Sequence, residues 1–356
     1  MTLARRSWAE IVYAGEDISA DIAPYLLDVS YTDNSGGQAD ELTISLEDRD
    51  GLWRGDWLPG AGDKLTCRIH ADDWGEGGGS LFCGEFTIDK PLSLSGPPSI
   101  AKISGLSVPT GSAARRTQRS RAWEQVEFRT IAEDVAASSQ LTLVWDVAPE
   151  QTPGALDRAE QRSETDLAFL QRMCGDYRLA MKVTDVQLVI WDVTKYEALA
   201  PVTTYTLGES RIESWSLEIK AYLYTPKVKV QYQDPWHGVV QESTRTAAQE
   251  LREPAADDPL GLLPQSFDDA AAEVIRVRAR SKAEAEAKAT AALLTRLQHS
   301  SEGSLVVMGD VRLVAGNSIQ LAGWNKLDGK YLIDKATHSG VGKNYTVSVD
   351  IKRTSA

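Results

Sequence analysis

A two-residue period of apolar side chains is the feature of this sequence that most restricts its fold. Segment 41–47, ELTISLE, places leucine and isoleucine on one side of an extended chain and hydroxyl side chains on the other, as in a strand with one face buried. The alternation returns in residues 65–69 and 81–88, and polar or glycine-rich connections separate the runs. This pattern predicts a first β-barrel-like domain over residues 1–110.

Helical spacing replaces this alternation in the middle of the chain. Apolar residues at intervals of three and four predict a helix from Trp123 to Ser138. Ser163, followed by Asp166 three residues later, predicts the capped start of a second helix. Two strand-like runs accompany these helices, at residues 141–147 and 186–193. We therefore expect a small mixed α+β domain over residues 111–200.

Strand patterns return in the last part of the chain and predict a second β-barrel-like domain over residues 201–356. Prolines interrupt residues 234–272 among acidic and alanine residues, which indicates a long polar excursion. Ser281 and Glu284 form a capping box ahead of an alanine-rich helix over residues 281–300, which Gly303 can end. The predicted strands of this part are 212–219, 226–232, 304–308, 318–321, 329–333 and 346–352.

The charge and cysteine content exclude several classes of function. The net charge is −13, and residues 1–100 hold 18 acidic and 7 basic side chains. Such an acidic surface repels phosphate backbones, so we do not expect nucleic-acid binding as the main role. No apolar run approaches the roughly 18 residues of a membrane span, so we expect no membrane insertion. Cys67, Cys83 and Cys174 form no CxxC pair and are expected to be reduced.

Motifs that carry catalytic, cofactor or metal chemistry are missing from the sequence. The four histidines are scattered, and neither a zinc-ligand spacing, a P-loop nor a GxSxG turn occurs. We therefore predict no enzyme, no cofactor and no metal. Two carboxylate arrangements stay open as glycosidase candidates, Asp146 beside Trp145 and Glu160 near Glu164. His338, at a predicted strand end, is expected to be a hydrogen-bonded structural residue.

Arginines and tryptophans are the candidate interface residues. Four arginines precede Trp123 in an otherwise acidic chain, and arginine and tryptophan are the residues that interface hot spots favour. The same reasoning selects three of the remaining tryptophans. The complete candidate set is Arg115, Arg116, Arg119, Arg121, Trp123, Trp53, Trp57 and Trp236.

The order of several short motifs resembles one protein family. The motifs are ADELTISLEDRDGLW (39–53), GEFTID (84–89), GPP (96–98), RSRAWE (119–124), EQRSETDLAFL (160–170), LVIWD (188–192) and DGKYLI (328–333) followed by His338. With this order and spacing the chain resembles the late control protein D family of contractile-tail phages. These are baseplate hub proteins, similar to the hub portion of type VI secretion VgrG.

The resemblance implies a structural baseplate hub. Three chains would form a homotrimeric ring in which two similar barrels per chain give pseudo-sixfold symmetry, so that a sixfold tail tube meets a threefold central spike around a channel. The implied partners are the tail tube or tube-initiator protein, a separate central spike and other baseplate proteins. The chain ends soon after its last predicted strand, so the spike is expected to be a separate polypeptide. The implied location is the tail baseplate of the virion, after assembly in the host cytoplasm.

Two alternatives from other functional classes stay open at this point. One is a baseplate-associated peptidoglycan hydrolase that uses two carboxylates. The other is a carbohydrate-binding β-protein that uses exposed tryptophans.

Overall fold

The computed structural model describes residues 5–107, 117–149, 151–184, 186–220, 227–233, 240–246, 273–277, 279 and 281–354. The strands of the first two predicted domains are β1 (Arg6–Tyr13), β2 (Glu16–Asp17), β3 (Leu26–Asn34), β4 (Glu41–Glu47), β5 (Lys64–Asp72), β6 (Gly79–Ser95), β7 (Ile100–Leu106), β8 (Gln118–Val126), β9 (Thr142–Asp146), β10 (Leu156–Thr165), β11 (Leu179–Val183) and β12 (Gln187–Asp192). The later strands are β13 (Thr203–Thr206), β14 (Ile212–Ile219), β15 (Lys227–Gln233), β16 (Val240–Thr246), β17 (Glu273–Val277), β18 (Ser301–Met308), β19 (Ser318–Ala322), β20 (Gly329–Ser339) and β21 (Thr346–Arg353). The helices are α1 (Ser19–Ile22), α2 (Phe128–Ser138), α3 (Asp166–Asp176), α4 (Val193–Glu197) and α5 (Lys282–His299).

Both ends of the chain contribute strands to one 13-stranded sheet. Its main path runs β14-β18-β21-β20-β3-β4-β7-β6-β5-β1-β2, and β19, with β13 beside it, joins at β20. The two predicted β-rich parts meet where β20 pairs antiparallel with β3, with His338 opposite Tyr31 and Lys335 opposite Asn34. The mainly β class with α+β elements is confirmed. Among the described residues the strand path has free ends and does not close into a barrel.

One strand order occurs twice in this sheet. Antiparallel pairs join β3, β4, β7, β6 and β5 in the first half. Antiparallel pairs join β14, β18, β21, β20 and β19 in the second half. When the five strands of each set are numbered in chain order, both sets lie in the sheet in the order first, second, fifth, fourth, third. The chain therefore contains two five-stranded units of the same topology.

A tryptophan turn joins the third and fourth strands of each half. Trp74 (φ −90°, ψ 10°) and Trp324 (φ −92°, ψ 12°) each precede a three-residue 3₁₀ turn. Five residues after each tryptophan lies a glycine in a positive-φ conformation, Gly79 at 126° and Gly329 at 148°, which side chains disfavour. The two halves therefore repeat the same turn between their third and fourth strands.

A single hydrophobic core runs through both halves of the large sheet. It includes Leu42 and Phe86 from the first half and Tyr331 and Val349 from the second, all fully buried. Removing a side chain of this size from water stabilises the fold by roughly 1.5–3 kcal/mol. Burial of these side chains in one common core therefore stabilises both halves together.

The middle of the chain forms a separate layer with its own core. Helices α2 and α3 contribute Phe128, Ile131 and Phe169 to a cluster with Leu188 of β12. Here β12 pairs parallel with β9 and antiparallel with β11, and β8 pairs with β10 in a two-stranded ribbon. The predicted mixed α+β character of this segment is confirmed.

Helix α5 packs on a fourth sheet, ordered β16-β15-β17. Its alanines and Leu293 pack against Val228 and Val230 of β15. The predicted cap is confirmed, since the Ser281 hydroxyl oxygen accepts the Glu284 N–H at 3.1 Å. Within the predicted excursion, strand β16 covers residues 240–246, and the rest of residues 234–272 lies outside the described residues. None of the helices described is long and apolar enough to cross a membrane.

Long-range contacts override local helix signals at three positions. Trp123 is in strand β8 and pairs with Ala159 of β10, so the helix predicted from Trp123 begins only at Phe128. The cap predicted at Ser163 is wrong, because Ser163 lies at a bulge in β10 with φ 49° and Thr165 caps α3 instead.

Gly303 is the third of these positions. It lies in strand β18 rather than at the end of α5, where Ser300 is the C-cap residue. A Cβ at Gly303 would collide with the Ser216 carbonyl oxygen and the Leu217 side chain of β14. This glycine therefore permits a close approach of two strands.

Candidate assembly surfaces

The contact between the two halves combines sheet pairing with side-chain hydrogen bonds. The Ser35 N–H donates to the Asp334 carbonyl oxygen at 2.9 Å, and the Ser35 hydroxyl donates to the Asp334 carboxylate at 2.7 Å. The Thr32 and Thr337 hydroxyl oxygens lie 3.3 Å apart. These contacts form the internal joint, in which β3 at the edge of the first half gains β20 of the second half as its strand neighbour.

Strand β14 is an edge strand whose core-facing side is partly exposed. Among the described residues it pairs with β18 alone. Leu217 packs against the core of the large sheet, and Trp215 and Ile219 share its face because side chains alternate along a strand. Yet Trp215 is 48% exposed and Ile219 38% exposed. Sequence reasoning did not select this strand as an interface.

The last residues of β6 form a second free edge. Pairing with β5 ends at Thr87, whereas β6 continues to Ser95 with β7 as its partner there. Leu94 near its end is 45% exposed. Among the described residues this stretch has a strand neighbour on one side only.

The arginines predicted as an interface strip are partly used within the chain. Arg119 and Arg121 form ion pairs of 3.4 and 2.8 Å with Asp166, whose side chain is 1% exposed. The Arg121 guanidinium also lies 4.6 Å from the ring centroid of Trp123. These residues tie the β8–β10 ribbon to the start of α3. Arg115 and Arg116 lie outside the described residues.

The predicted tryptophans fall in different surroundings. Trp123 stacks on Phe169 with ring centroids 5.1 Å apart. Trp53 is buried and lies edge-on to Trp57 at 5.2 Å, while Trp57 is 40% exposed. Trp57 is therefore the candidate of this group that a partner could reach, and Trp236 lies outside the described residues.

A buried charge cluster attaches the middle layer to the large sheet. The Lys182 ammonium of β11 contacts the carboxylates of Asp33 and Asp40, the latter at 2.9 Å. The Ala315 N–H donates to Asp33 at 2.9 Å, and the Asn34 N–H donates to Asp40 at 3.0 Å. Burial raises the pKa of Asp40 to about 6, and Lys182 opposes that increase.

The two carboxylate candidates lack the electrostatics of a general acid. Asp146 accepts hydrogen bonds from Lys195 and Tyr196, which lower its pKa. Arg162 beside Glu160 lowers the pKa of that carboxyl. A glycosidase acid needs a raised pKa instead. Among the described residues, no group of histidine, cysteine or acidic side chains could hold a metal ion.

His338 is a structural histidine, as predicted. Its Nε2 lies 2.9 Å from the Leu313 carbonyl oxygen and its Nδ1 lies 2.8 Å from the Tyr345 hydroxyl. A neutral ring satisfies both contacts when Nε2–H donates to Leu313 and Tyr345 donates to Nδ1. Burial lowers the pKa of His338 to about 4, so the ring is neutral at pH 7.

The fold is that of phage tail proteins. A tail protein from Neisseria meningitidis MC58 aligns over 98% of this chain and 97% of its own, with a TM-score of 0.68 and 14% identity. The 43 kDa tail protein of prophage MuSo2 from Shewanella oneidensis aligns over 98% of both chains, with a TM-score of 0.63 and 11% identity. A chain of the Francisella PdpA-VgrG complex also shares the fold, with a TM-score of 0.55 and 9% identity over 99% of this chain and 53% of that chain.

Sequence comparison identifies a narrower group. The chain is 30% identical over 158 residues to the probable baseplate hub protein of Escherichia phage P2, and 28% identical over 158 residues to that of Escherichia phage 186. Each match covers 44% of this chain and spans 38% of the relative. No protein-family model matches. The predicted similarity to phage baseplate hub proteins and VgrG is confirmed.

Proposed function

We propose that this protein is the structural baseplate hub of a phage or phage-like tail. In this role three copies form a ring around a central channel and join a sixfold tail tube to a threefold spike. The similarity to the hub proteins of phages P2 and 186 supports this role.

The duplicated five-stranded unit is the observation that carries the proposal. Two units of the same strand order lie in each chain and contact each other through β20 and β3. Three such chains present six similar units, one for each position of a sixfold tube, while keeping three identical chains for a threefold spike. A closed ring of heterologous contacts builds such an arrangement. Each unit lies within one of the two β-rich parts of the chain.

The proposed partners follow from this position in the tail. They are the tail tube or tube-initiator protein on one side, a separate spike protein on the other, and further baseplate proteins around the ring. The protein would be assembled in the host cytoplasm and reside in the baseplate of the virion.

We further propose that the protein is not an enzyme. The lowered pKa values of Asp146 and Glu160 argue against the hydrolase alternative. A peptidoglycan zymogram tests this directly, since lysis abolished by Asp146→Asn or Glu160→Gln would overturn a purely structural role. Glycan-array binding by a monomer would instead favour the carbohydrate-binding alternative.

Absolute mass by light scattering tests the ring. The chain mass is 38.9 kDa, so a homotrimer has a mass of about 117 kDa. We expect that mass for the protein alone. When the spike is co-expressed, we expect a complex in which three copies of this chain account for that mass and three spike chains for the rest. A monomer under both conditions would contradict the proposed hub.

A further inference from the structure

The two five-stranded units predict their own intermolecular contact. In each chain the fourth strand of the second unit, β20, pairs antiparallel with the first strand of the first unit, β3. The reciprocal partners are the fourth strand of the first unit, β6, and the first strand of the second unit, β14. Among the described residues these two strands do not pair with each other, and each has a free edge.

Strands β3 and β14 correspond residue by residue. Each has a register shift after its first residue, between Leu26 and Asp28 in β3 and between Ile212 and Ser214 in β14. Aligning these shifts places Leu217 at the position of Tyr31. The direction of the backbone N–H groups agrees with this alignment.

Directly after β14, the Lys220 N–H donates toward β18, to the carbonyl oxygen of Ser300, the residue before β18. Because direction alternates along a strand, the N–H groups of Leu217 and Ile219 point to the free edge. In β3, the Ser35 N–H bonds to Asp334 of β20, so the N–H of Tyr31 also points to β20. The Leu217 N–H therefore points to the free edge of β14 just as the N–H of its equivalent, Tyr31, points to β20.

The ends of β20 and β6 correspond as well. Ser339 of β20 and Ser95 of β6 are the last residues before the hairpins to β21 and β7, opposite Thr346 and Ile100. Aligning these ends places Leu94 at the position of His338. Since His338 lies opposite Tyr31 within the chain, the equivalent pair between chains is Leu94 opposite Leu217.

We propose that the free edge of β14 in one copy pairs antiparallel with the end of β6 in the next copy, with Leu94 opposite Leu217 and Ser93 opposite Glu218. This inference rests on the proposed trimer and names the contact that builds it. Repeating the internal β20–β3 contact between chains makes all six joints of the ring alike.

The pairing accounts for side chains that are otherwise unusually exposed. Val29 and Asp33 in β3 are buried within the chain, whereas their equivalents Trp215 and Ile219 are 48% and 38% exposed. Leu94 is 45% exposed at the end of β6. A long unpaired strand edge beside exposed apolar side chains is a site for strand addition. A second copy supplies the complementary edge.

A disulfide between copies tests the register. In the proposed pairing Ser93 and Glu218 form a non-hydrogen-bonded pair, whose Cα atoms lie about 4.5 Å apart in antiparallel sheets and suit a disulfide. The variant Ser93→Cys/Glu218→Cys should give a covalent trimer on a non-reducing gel after mild oxidation. The matched control Ser93→Cys/Ile219→Cys, shifted by one residue, places the second thiol on the opposite face and should give no covalent trimer.

A second variant keeps the test independent of disulfide formation. Leu94→Lys places a charge in the proposed joint but on the surface of a single chain, so a folded monomer of unchanged circular dichroism is expected. Val186→Lys places the same charge at an exposed valine outside the joint and should remain trimeric. A wild-type trimer with neither the specific cross-link nor dissociation by Leu94→Lys would overturn the proposed pairing while leaving the hub intact. A wild-type monomer would instead remove the hub.

Discussion

At the scale of single residues, buried polar groups determine how this fold responds to pH. His338 has no exposed surface, and both ring nitrogens have partners inside the large sheet. Its pKa of about 4 in the folded protein lies below the ordinary value of 6.5. The unfolded chain therefore binds the proton more readily than the folded protein between those two pH values.

His338 should destabilise the protein in mild acid. Above about pH 6.5 the ring is neutral in both the folded and the unfolded chain, and His338 does not make stability depend on pH. As the pH falls from 6.5 toward 4, the unfolded chain takes up the proton first, and the free energy of unfolding decreases by about 3 kcal/mol. His338→Gln keeps a donor and an acceptor but does not titrate. Urea unfolding at pH 7 and pH 4 should show a loss about 3 kcal/mol larger for the wild type than for His338→Gln. Equal losses in the two proteins would contradict this assignment.

At the scale of elements, a buried charge cluster is one of the contacts that join the middle layer to the large sheet. Strand β11 reaches the large sheet through Lys182, which neutralises two carboxylates at the β3–β4 hairpin. Burying charges costs free energy unless each has a partner. The lysine therefore stabilises the contact between the hairpin and the middle layer by pairing with both carboxylates.

Removing this lysine should loosen the joint. Lys182→Met leaves Asp33 and Asp40 buried without their cation, which costs about 3–5 kcal/mol at pH 7. Burial raises the pKa of Asp40 to about 6 and Lys182 opposes that increase, so removing the lysine raises this pKa further. The variant therefore regains stability by proton uptake at a higher pH than the wild type does. Chemical denaturation should therefore show a smaller loss at pH 5 than at pH 7.

Lys102→Met provides the matched control for this prediction. Lys102 is exposed on β7, and a surface substitution of this kind changes stability by about 0.5 kcal/mol or less. A loss at Lys182 no larger than at Lys102, or one independent of pH, would show that the charge cluster does not hold the layers together.

Local patterns predicted the elements whose partners are near in sequence. The alternation in 41–47 and the cap at Ser281 depend on neighbouring residues, and both are present as expected. Trp123 and Gly303 were misassigned because their conformation depends on β10 and β14, far along the chain. The free edges of β14 and β6 could not be predicted either, because an edge is defined by which distant strands do not pair with it.

At the scale of the whole molecule, two arginines of the candidate interface segment have a structural role, while Arg115 and Arg116 lie outside the described residues. Arg119 and Arg121 balance the buried Asp166, so reversing their charge would destabilise the middle layer as well as any interface. A test of assembly must therefore be confined to Arg115 and Arg116.

We expect Arg115→Glu/Arg116→Glu to weaken assembly without lowering the melting temperature of the chain. Arg121→Glu should lower it, because loss of a partner to a buried carboxylate costs about 3–5 kcal/mol. Light scattering measures the first effect and thermal unfolding the second. A normal trimer from Arg115→Glu/Arg116→Glu would remove these two residues from the interface.

The pairing of β3 with β20 has a consequence for when the protein can first exist in the cell. Thr32 and Thr337 face each other although 305 positions separate them. At synthesis rates of about 5–20 residues per second, β3 therefore waits about 15–60 s on the ribosome before its neighbour is made. A prematurely terminated polypeptide would lack β20 altogether and would present an incomplete sheet. Strand β3 can therefore gain this neighbour only after residues 329–339 have been synthesised.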